Sequence, residues 1–169
     1  MQFHVIDPPR STLIAQRATF VLQPQPAVFP ALQYCLALAH KNMSPYLERR
    51  GEQFNDDRWR ELAPQAQFFL IVDHAAEASI TVGFVGLRIE PGAPQALHVG
   101  DVQVEPRFQN RGAGCAALAH IETLALSRGL SALTLNVFRD NPALRLYERF
   151  GFDAVDTRFY KYKMRKSLC

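Results

Sequence analysis

Three consecutive stretches constrain this chain more than anything else in it. Asp101-Val102-Gln103-Val104-Glu105-Pro106 has the pattern of a strand that ends, Gln109-Asn110-Arg111-Gly112-Ala113-Gly114 is a glycine turn, and an apolar-periodic run to Ser127 is a helix. Residues without a Cβ let the backbone bend tightly and bring successive N–H groups against an anion at the positive end of the helix that follows. The implied ligand carries phosphate. Taken alone, the glycine pattern also fits an ordinary loop, so its strand and helix context carries the argument. No Gly-Lys-Ser/Thr follows the turn, which removes a Walker A reading. A dinucleotide fingerprint would sit near the start of a βαβ unit, with an acidic residue about 20 positions on.

A second pattern lies downstream: Asn141-Pro142-Ala143-Leu144-Arg145-Leu146-Tyr147-Glu148-Arg149-Phe150-Gly151-Phe152. In this order the two motifs resemble those of the GCN5-related N-acetyltransferase superfamily. The turn is similar to its Gln/Arg-x-x-Gly-x-Gly/Ala loop, which binds the coenzyme A pyrophosphate. The second stretch is similar to its Asn-x-x-Ala-x-x-Leu-Tyr-x-x-x-Gly-Phe signature, with one residue fewer between Asn and Ala. The resemblance is sharp over residues 97–152, extends over about 10–165, and holds only in outline before 68. It implies an α/β (α+β) acetyltransferase fold with a splayed parallel strand pair in a mixed central sheet, acetyl-CoA (coenzyme A) as cofactor, and direct attack of a primary amine on the thioester.

Periodicity and turn residues lead to the same element order. A first strand is expected within residues 10–22, on Thr12, Ile14 and Thr19-Phe20-Val21-Leu22, before a loop marked by Pro24, Pro26 and Pro30. A helix over Ala31–Ala39 follows, with Pro45 and Gly51 as breakers, then a short helix within Gln53–Leu62 capped by Asn55 or Asp56. Phe68–Asp73, Ile80–Ile89 and Ala96–Val104 form an antiparallel meander. Helix 116–126, strand 132–137, helix 142–150 and strands 152–156 and 160–164 complete the order β-αα-βββ-α-β-α-ββ.

At 169 residues and 48% apolar composition the chain suffices for one hydrophobic core, so one domain, 1–169, is expected. No run approaches 18 apolar residues and the N-terminus has no secretion-signal pattern, so a cytoplasmic protein with no membrane partner is expected. Cys35, Cys115 and Cys169 form no metal pattern and fit reduced, structural thiols. The net charge of +3 comes partly from Arg158, Lys161, Lys163, Arg165 and Lys166. Alternation of the first of these with Phe159, Tyr160 and Tyr162 points to an edge or penultimate strand with a solvated face, not to nucleic-acid binding.

The resemblance also implies roles. Backbone groups of Val102, Gln103 and Val104 would bind the pantetheine arm, and Gln109, Asn110, Arg111, Gly112, Ala113 and Gly114 the pyrophosphate. Asn136, Asn141, Leu144 and Tyr147 would complete the cofactor site, with Asn141 equally placed to cap the helix and Tyr147 to pack against the sheet. As a catalytic group, Tyr147 would protonate the departing thiolate. Asn136 stands where peptide-acting members often carry a glutamate, which leaves His98 and Asp101 as candidate bases and Glu105 as a weaker third. Regular alternation puts His98 on the face of Val102 and Val104, and Asp101 on that of Gln103. The first helices and their loop would wall the acceptor pocket, with Tyr46, Phe54 and Trp59 as candidates to hold an ammonium or to anchor the helix. A small-molecule amine is the expected acceptor and a homodimer is possible. A peptide or protein N-acetyltransferase and a non-catalytic CoA-binding sensory module are the alternatives.

Overall fold

A computed structural model describes residues 20–25, 29–75 and 78–168, with the side chains of Gln25, Phe29 and Pro30 left aside. Strands β1 (Phe20–Gln25), β2 (Gln67–Asp73), β3 (Ile80–Glu90), β4 (Ala93–Val104), β5 (Ala132–Phe138), β6 (Asp153–Arg158) and β7 (Lys161–Ser167) form one seven-stranded sheet in the order β1-β2-β3-β4-β5-β7-β6. Helices α1 (Phe29–Glu48) and α2 (Asp56–Leu62) come between β1 and β2, α3 (Ala113–Ser127) between β4 and β5, and α4 (Leu144–Arg149) between β5 and β6. Every strand pair is antiparallel except β4 with β5, so the element order and the mixed sheet agree with expectation.

Each face of the sheet buries its own core. Val82, Val85, Leu87, Leu97, Val99, Leu133 and Leu135 pack against Ala117, Leu118, Ile121 and Ala125 of α3 and against Tyr147. On the opposite face Phe68 and Phe84 meet Cys35, Leu38 and Ala39 of α1, with Trp59 of α2 alongside. Helix α3 is apolar all along one side because a sheet and no solvent lies beneath it.

Several boundaries differ from the sequence reading. The described first strand is 20–25 and runs through Pro24, paired with Phe69; residues 10–19 lie outside the described region. Proline is admissible there because β1 is an edge strand, where a missing N–H leaves no ladder bond broken. Helix α1 does not stop at Ala39 but passes through Pro45 to Glu48. Pro45 lies in the last turn, where it forfeits one intrahelical bond, and the helix closes through Arg50 N–H to Leu47 C=O and Gly51 N–H to Glu48 C=O. Helix α4 is shorter than 142–150. Asn55 caps α2, accepting from Arg58 N–H at 2.8 Å.

Strand β7 is penultimate, and its three lysines are tied down. Lys163 donates to Glu90 and Lys166 to Glu122, both at 2.8 Å, while Lys161 lies 4.4 Å from the Phe138 ring centre. Cys35 is buried, whereas Cys115 is exposed, so it is not a packing thiol; Cys169 lies outside the described residues. No described helix is long and apolar enough to cross a membrane.

Two irregularities of β4 build the site. Its parallel pairing with β5 ends at Val99–Leu135, although both strands continue. Along β3 the register shifts between Gly86–Asp101 and Leu87–Val99, which makes Gly100 the extra residue of a bulge. The bulge reverses alternation. His98, Asp101 and Gln103 therefore share the α1/α2 face, while Val102 and Val104 pack toward α3, correcting the expected grouping of His98 with the two valines.

Candidate active site

Where β4 and β5 part, a cleft of about 1160 Å³ opens through the sheet from the glycine turn to α1 and α2. At one end, Pro106–Phe108 forms a 3-10 turn leading into Gln109–Gly112. Asn110 and Gly112 both have left-handed backbone, with φ of 59° and 93°, and Gly112 is the N-cap of α3. The first helical bond runs from Ala116 N–H to Gly112 C=O at 2.9 Å, so the preceding N–H groups of the first turn are open to an anion. A Cβ on Gly112 would meet nothing within 4 Å. Gly114 acts differently from the turn role expected of it: it is already helical, and a Cβ there would come 2.9 Å from Leu146 Cδ2. Its missing side chain lets α3 and α4 approach.

The other turn residues divide in the same manner. Gln109 Nε2 donates to Val104 C=O at 3.0 Å, tying the turn to the end of β4, and Asn42 Nδ2 donates to the same carbonyl at 3.1 Å. Arg111 stands with its guanidinium carbon 5.6 Å from the Phe108 ring centre, and Ala113 is buried in the core beneath. Gln109, Asn110, Gly112 and Gly114 line the cleft together with Val102, Gln103, Val104, Asn136 and Asn141. Leu144 packs against the core instead, and Leu146 takes the lining position. Asn141 Oδ1 accepts from Ala143 N–H at 2.9 Å, which forms a turn just ahead of α4; the N-cap itself is Ala143, with no side-chain bond, so Asn141 does not make the expected cap.

Tyr147 reaches the cleft from the α3/α4 side, where it packs edge-on to Phe152. Burial, and then the charge of Asp101, pushes its phenol up to about 12, so it stays protonated through neutral pH.

On the opposite face lies a polar cluster. His98 is 3% exposed, and its Nδ1 stands 2.7 Å from Glu90 Oε2 and 3.0 Å from Thr134 Oγ1. Thr134 donates its hydroxyl proton to the same Glu90 oxygen at 2.6 Å, so Nδ1 must be the ring atom that carries hydrogen. The Nε2 lone pair is then left for the cleft, which His98 lines. Burial and the Arg88 guanidinium hold the imidazole below its usual value against the pull of Glu90, which favours this neutral form. Burial acts to raise the Glu90 carboxyl, but hydrogen bonds from Lys163 and Thr134 outweigh it and hold the group down at about 2.

Asp101 follows the bulge and accepts from Gln103 Nε2 at 3.3 Å. Burial pushes its carboxyl up, opposed by hydrogen bonds from Gln103 and Trp59 and by the Arg88 charge. Gln103 in turn accepts from Asn42 Nδ2 at 3.1 Å. Both base candidates thus face the same end of the cleft. Glu105 lies apart, with Lys41 Nζ 3.6 Å from its carboxylate.

The three acceptor-pocket candidates all line the cleft. Tyr46 stacks on Phe138 at 5.9 Å between ring centres, Phe54 lies 5.1 Å from the His40 ring, and Trp59 lies 5.5 Å from Phe68. Phe54 and Trp59 pack on the α1/α2 core, so they anchor as well as line. Asp140, after β5, accepts from Arg49 at 3.1 Å and from Arg50 at 2.7 Å, binding the end of α1 to the β5–α4 loop. Sequence reasoning missed Glu90, Thr134, Arg88, Asn42, Leu146 and Asp140. For Glu90 alone a local hint existed, since it closes an apolar strand across a Pro91-Gly92 turn from His98.

A family model for the acetyltransferase (GNAT) family matches residues 35–152. The uncharacterized N-acetyltransferase YycN of Bacillus subtilis is 34% identical over 77 residues, which are 44% of this chain and 49% of YycN, so the match spans about half of that relative's length. A GNAT family acetyltransferase from Elizabethkingia anophelis, solved with acetyl-CoA bound, superposes with a TM-score of 0.67 at 15% identity, covering 90% of this chain and 100% of the other. The PaiA N-acetyltransferase of Thermoplasma acidophilum, solved with coenzyme A, gives 0.64 at 17%, covering 87% and 99%. At these identities the two structures establish the fold. With the family match over both motifs and the sheet between them, the chain belongs to the acetyltransferase (GNAT) family.

Proposed function

We propose that this protein moves the acetyl group of acetyl-CoA to the primary amine of a small molecule by direct attack. One observation carries the reading: β4 leaves β5 at Val99–Leu135, beside a helix start with open N–H groups, and the gap admits Tyr147 from one face and His98 and Asp101 from the other. In this reading the first turn of α3 holds the pyrophosphate, and the free edge of Asp101–Gln103 hydrogen-bonds the pantetheine amides as a neighbouring strand would. The amine nitrogen bonds to the carbonyl carbon and its proton passes to Nε2 of His98. The carbon–sulfur bond breaks, and the thiolate takes the proton of Tyr147. Asn136, exposed on β5, is a carboxamide that cannot accept a proton and offers only hydrogen bonds to the cofactor. Cys115 serves no transfer step, because a ternary complex needs no acyl-enzyme.

A small acceptor is favoured by the tie of Arg49 and Arg50 to Asp140 and by the stack of Tyr46 on Phe138, which together draw the end of α1 over the cleft. Thiol release from acetyl-CoA, measured against small amines and against unstructured peptides with free N-termini at one ionic strength, tests it. Small amines are expected to have the higher kcat/KM. Peptide acetylation faster by tenfold or more would mean an open groove and a peptide or protein substrate, and cofactor binding with no acceptor turned over would leave a sensory module.

A further inference from the structure

Arg88 is an unpaired cation of the site. It sits near the end of β3, directly across from His98, half-buried, and lines the cleft. Among the described residues it has no carboxylate within 4.0 Å, which is true also of Lys161 and Arg149 in the cleft wall, whereas Lys41 is paired with Glu105, Arg49 with Asp140 and Arg58 with Glu61. Of the three unpaired cations, Arg88 is the one beside His98. Its guanidinium lies over the bulge, with Nη1 3.3 Å from where a Cβ on Gly100 would stand, so any side chain there would crowd it. The charge is felt by both His98 and Asp101. None of its nitrogens is both buried and unpaired, so water serves the guanidinium in the open cleft, and its planar fork can exchange that water for the two oxygens of a carboxylate.

The face it occupies decides which ligand. Arg88 shares the α1/α2 side of the sheet with His98, Asp101 and Trp59, whereas the turn that offers N–H groups to phosphate heads α3 on the other side. The cofactor's phosphates are therefore satisfied elsewhere. What remains for Arg88 is an anionic group on the acceptor, close to the point where β4 and β5 part. Asp101, beside it on the same face, offers the complementary charge for an ammonium. Resting on the reading of this cleft as an amine acetyltransferase site, we propose that the acceptor is a zwitterion, an amino acid or similar small amine with a carboxylate a few bonds from the reacting nitrogen, and that Arg88 binds that carboxylate. A polyamine would bring a second cation to Arg88.

The experiment compares a panel of amino acids with their own carboxamides and decarboxylated amines, with kcat/KM expressed per neutral amine. In the wild type each acid is expected to exceed its amide by about 10–100-fold, the worth of one charge-assisted bidentate contact. In Arg88→Gln the acid-to-amide ratio is expected to fall toward one, mainly through KM of the acid, and Arg88→Lys should restore part of it. Because the ratio is taken within each variant, partial loss of fold cancels. Amides or simple amines used as well as the acids by the wild type, or an unchanged ratio in Arg88→Gln, would overturn the role of Arg88 while leaving small-molecule acetylation standing. Turnover of peptides with no small amine accepted would overturn both.

Discussion

Tyr147 and His98 stand on opposite faces of one opening, and each can be tested by removing an atom or a charge. The Tyr147 hydroxyl is proposed to act on thiolate charge that exists only along the reaction path. Tyr147→Phe should thus lower kcat by about 10²–10⁴-fold with little change in acetyl-CoA affinity. An unchanged kcat across a pH series would leave Tyr147 as a packing residue. For His98 the sign follows from its surroundings: its pKa is held below the usual value, so it is neutral at pH 7 and activity should fall only as pH drops through that lowered value. Glu90 opposes the lowering. Glu90→Gln keeps an acceptor for the Nδ1 hydrogen but removes the charge, so the acid limb of kcat/KM should move to lower pH. A limb that stays in place, or moves upward, would show that His98 is not the group being titrated. The same two groups favour the folded state at neutral pH. Both His98 and Glu90 have folded pKa values below their ordinary ones, so stability is lost as pH falls below about 6.5 for the first and below about 4.5, toward 2, for the second.

Helices α3 and α4 meet at Gly114 and Leu146, and the turn before α3 depends on Gly112, so two glycines two residues apart have separable duties. Gly114→Ala places a methyl 2.9 Å from Leu146 Cδ2, the end of a half-buried side chain that can turn aside, while replacing a helical glycine gains about 1 kcal/mol. Thermal unfolding should therefore change little, and a large loss would show that Leu146 cannot move. Gly112→Ala meets open space but retains a φ of 93°, so its cost is backbone strain of about 1–2 kcal/mol and a displaced phosphate site, seen as weaker acetyl-CoA binding. Equal effects of the two substitutions on both cofactor affinity and melting temperature would mean that the glycines are not divided in this way. The turn residues themselves were readable because φ > 0 and helix capping are local demands met by particular residue types. The continuation of α1 through Pro45 was not, because whether a helix survives a proline depends on the bonds made after it, here at Arg50 and Gly51.

The molecule as a whole is a sheet with a gap, and the gap is what local patterns describe least. Alternation and turn chemistry over Phe68–Val104, and the two motifs at 109–114 and 141–152, suffice for the element order, the phosphate turn and the position of Tyr147. Those features depend on residues within a few positions of one another, where side-chain type and backbone conformation are coupled directly. Register is different. A single added residue at Gly100 moves every later side chain of β4 to the other face, and only pairing with β3 reveals it. That shift puts Asp101 beside His98 and under Arg88. The cluster around Glu90 likewise joins groups 44 and 73 positions away, Thr134 and Lys163, which meet because β4 lies beside β5 and β5 beside β7. Sequence therefore determined the family and the phosphate end of the cleft through short-range constraints. The acceptor end, with its charge and its proton path, was decided by strand order and register, since hydrogen bonds and ion pairs act over a few ångströms in space whatever their separation along the chain.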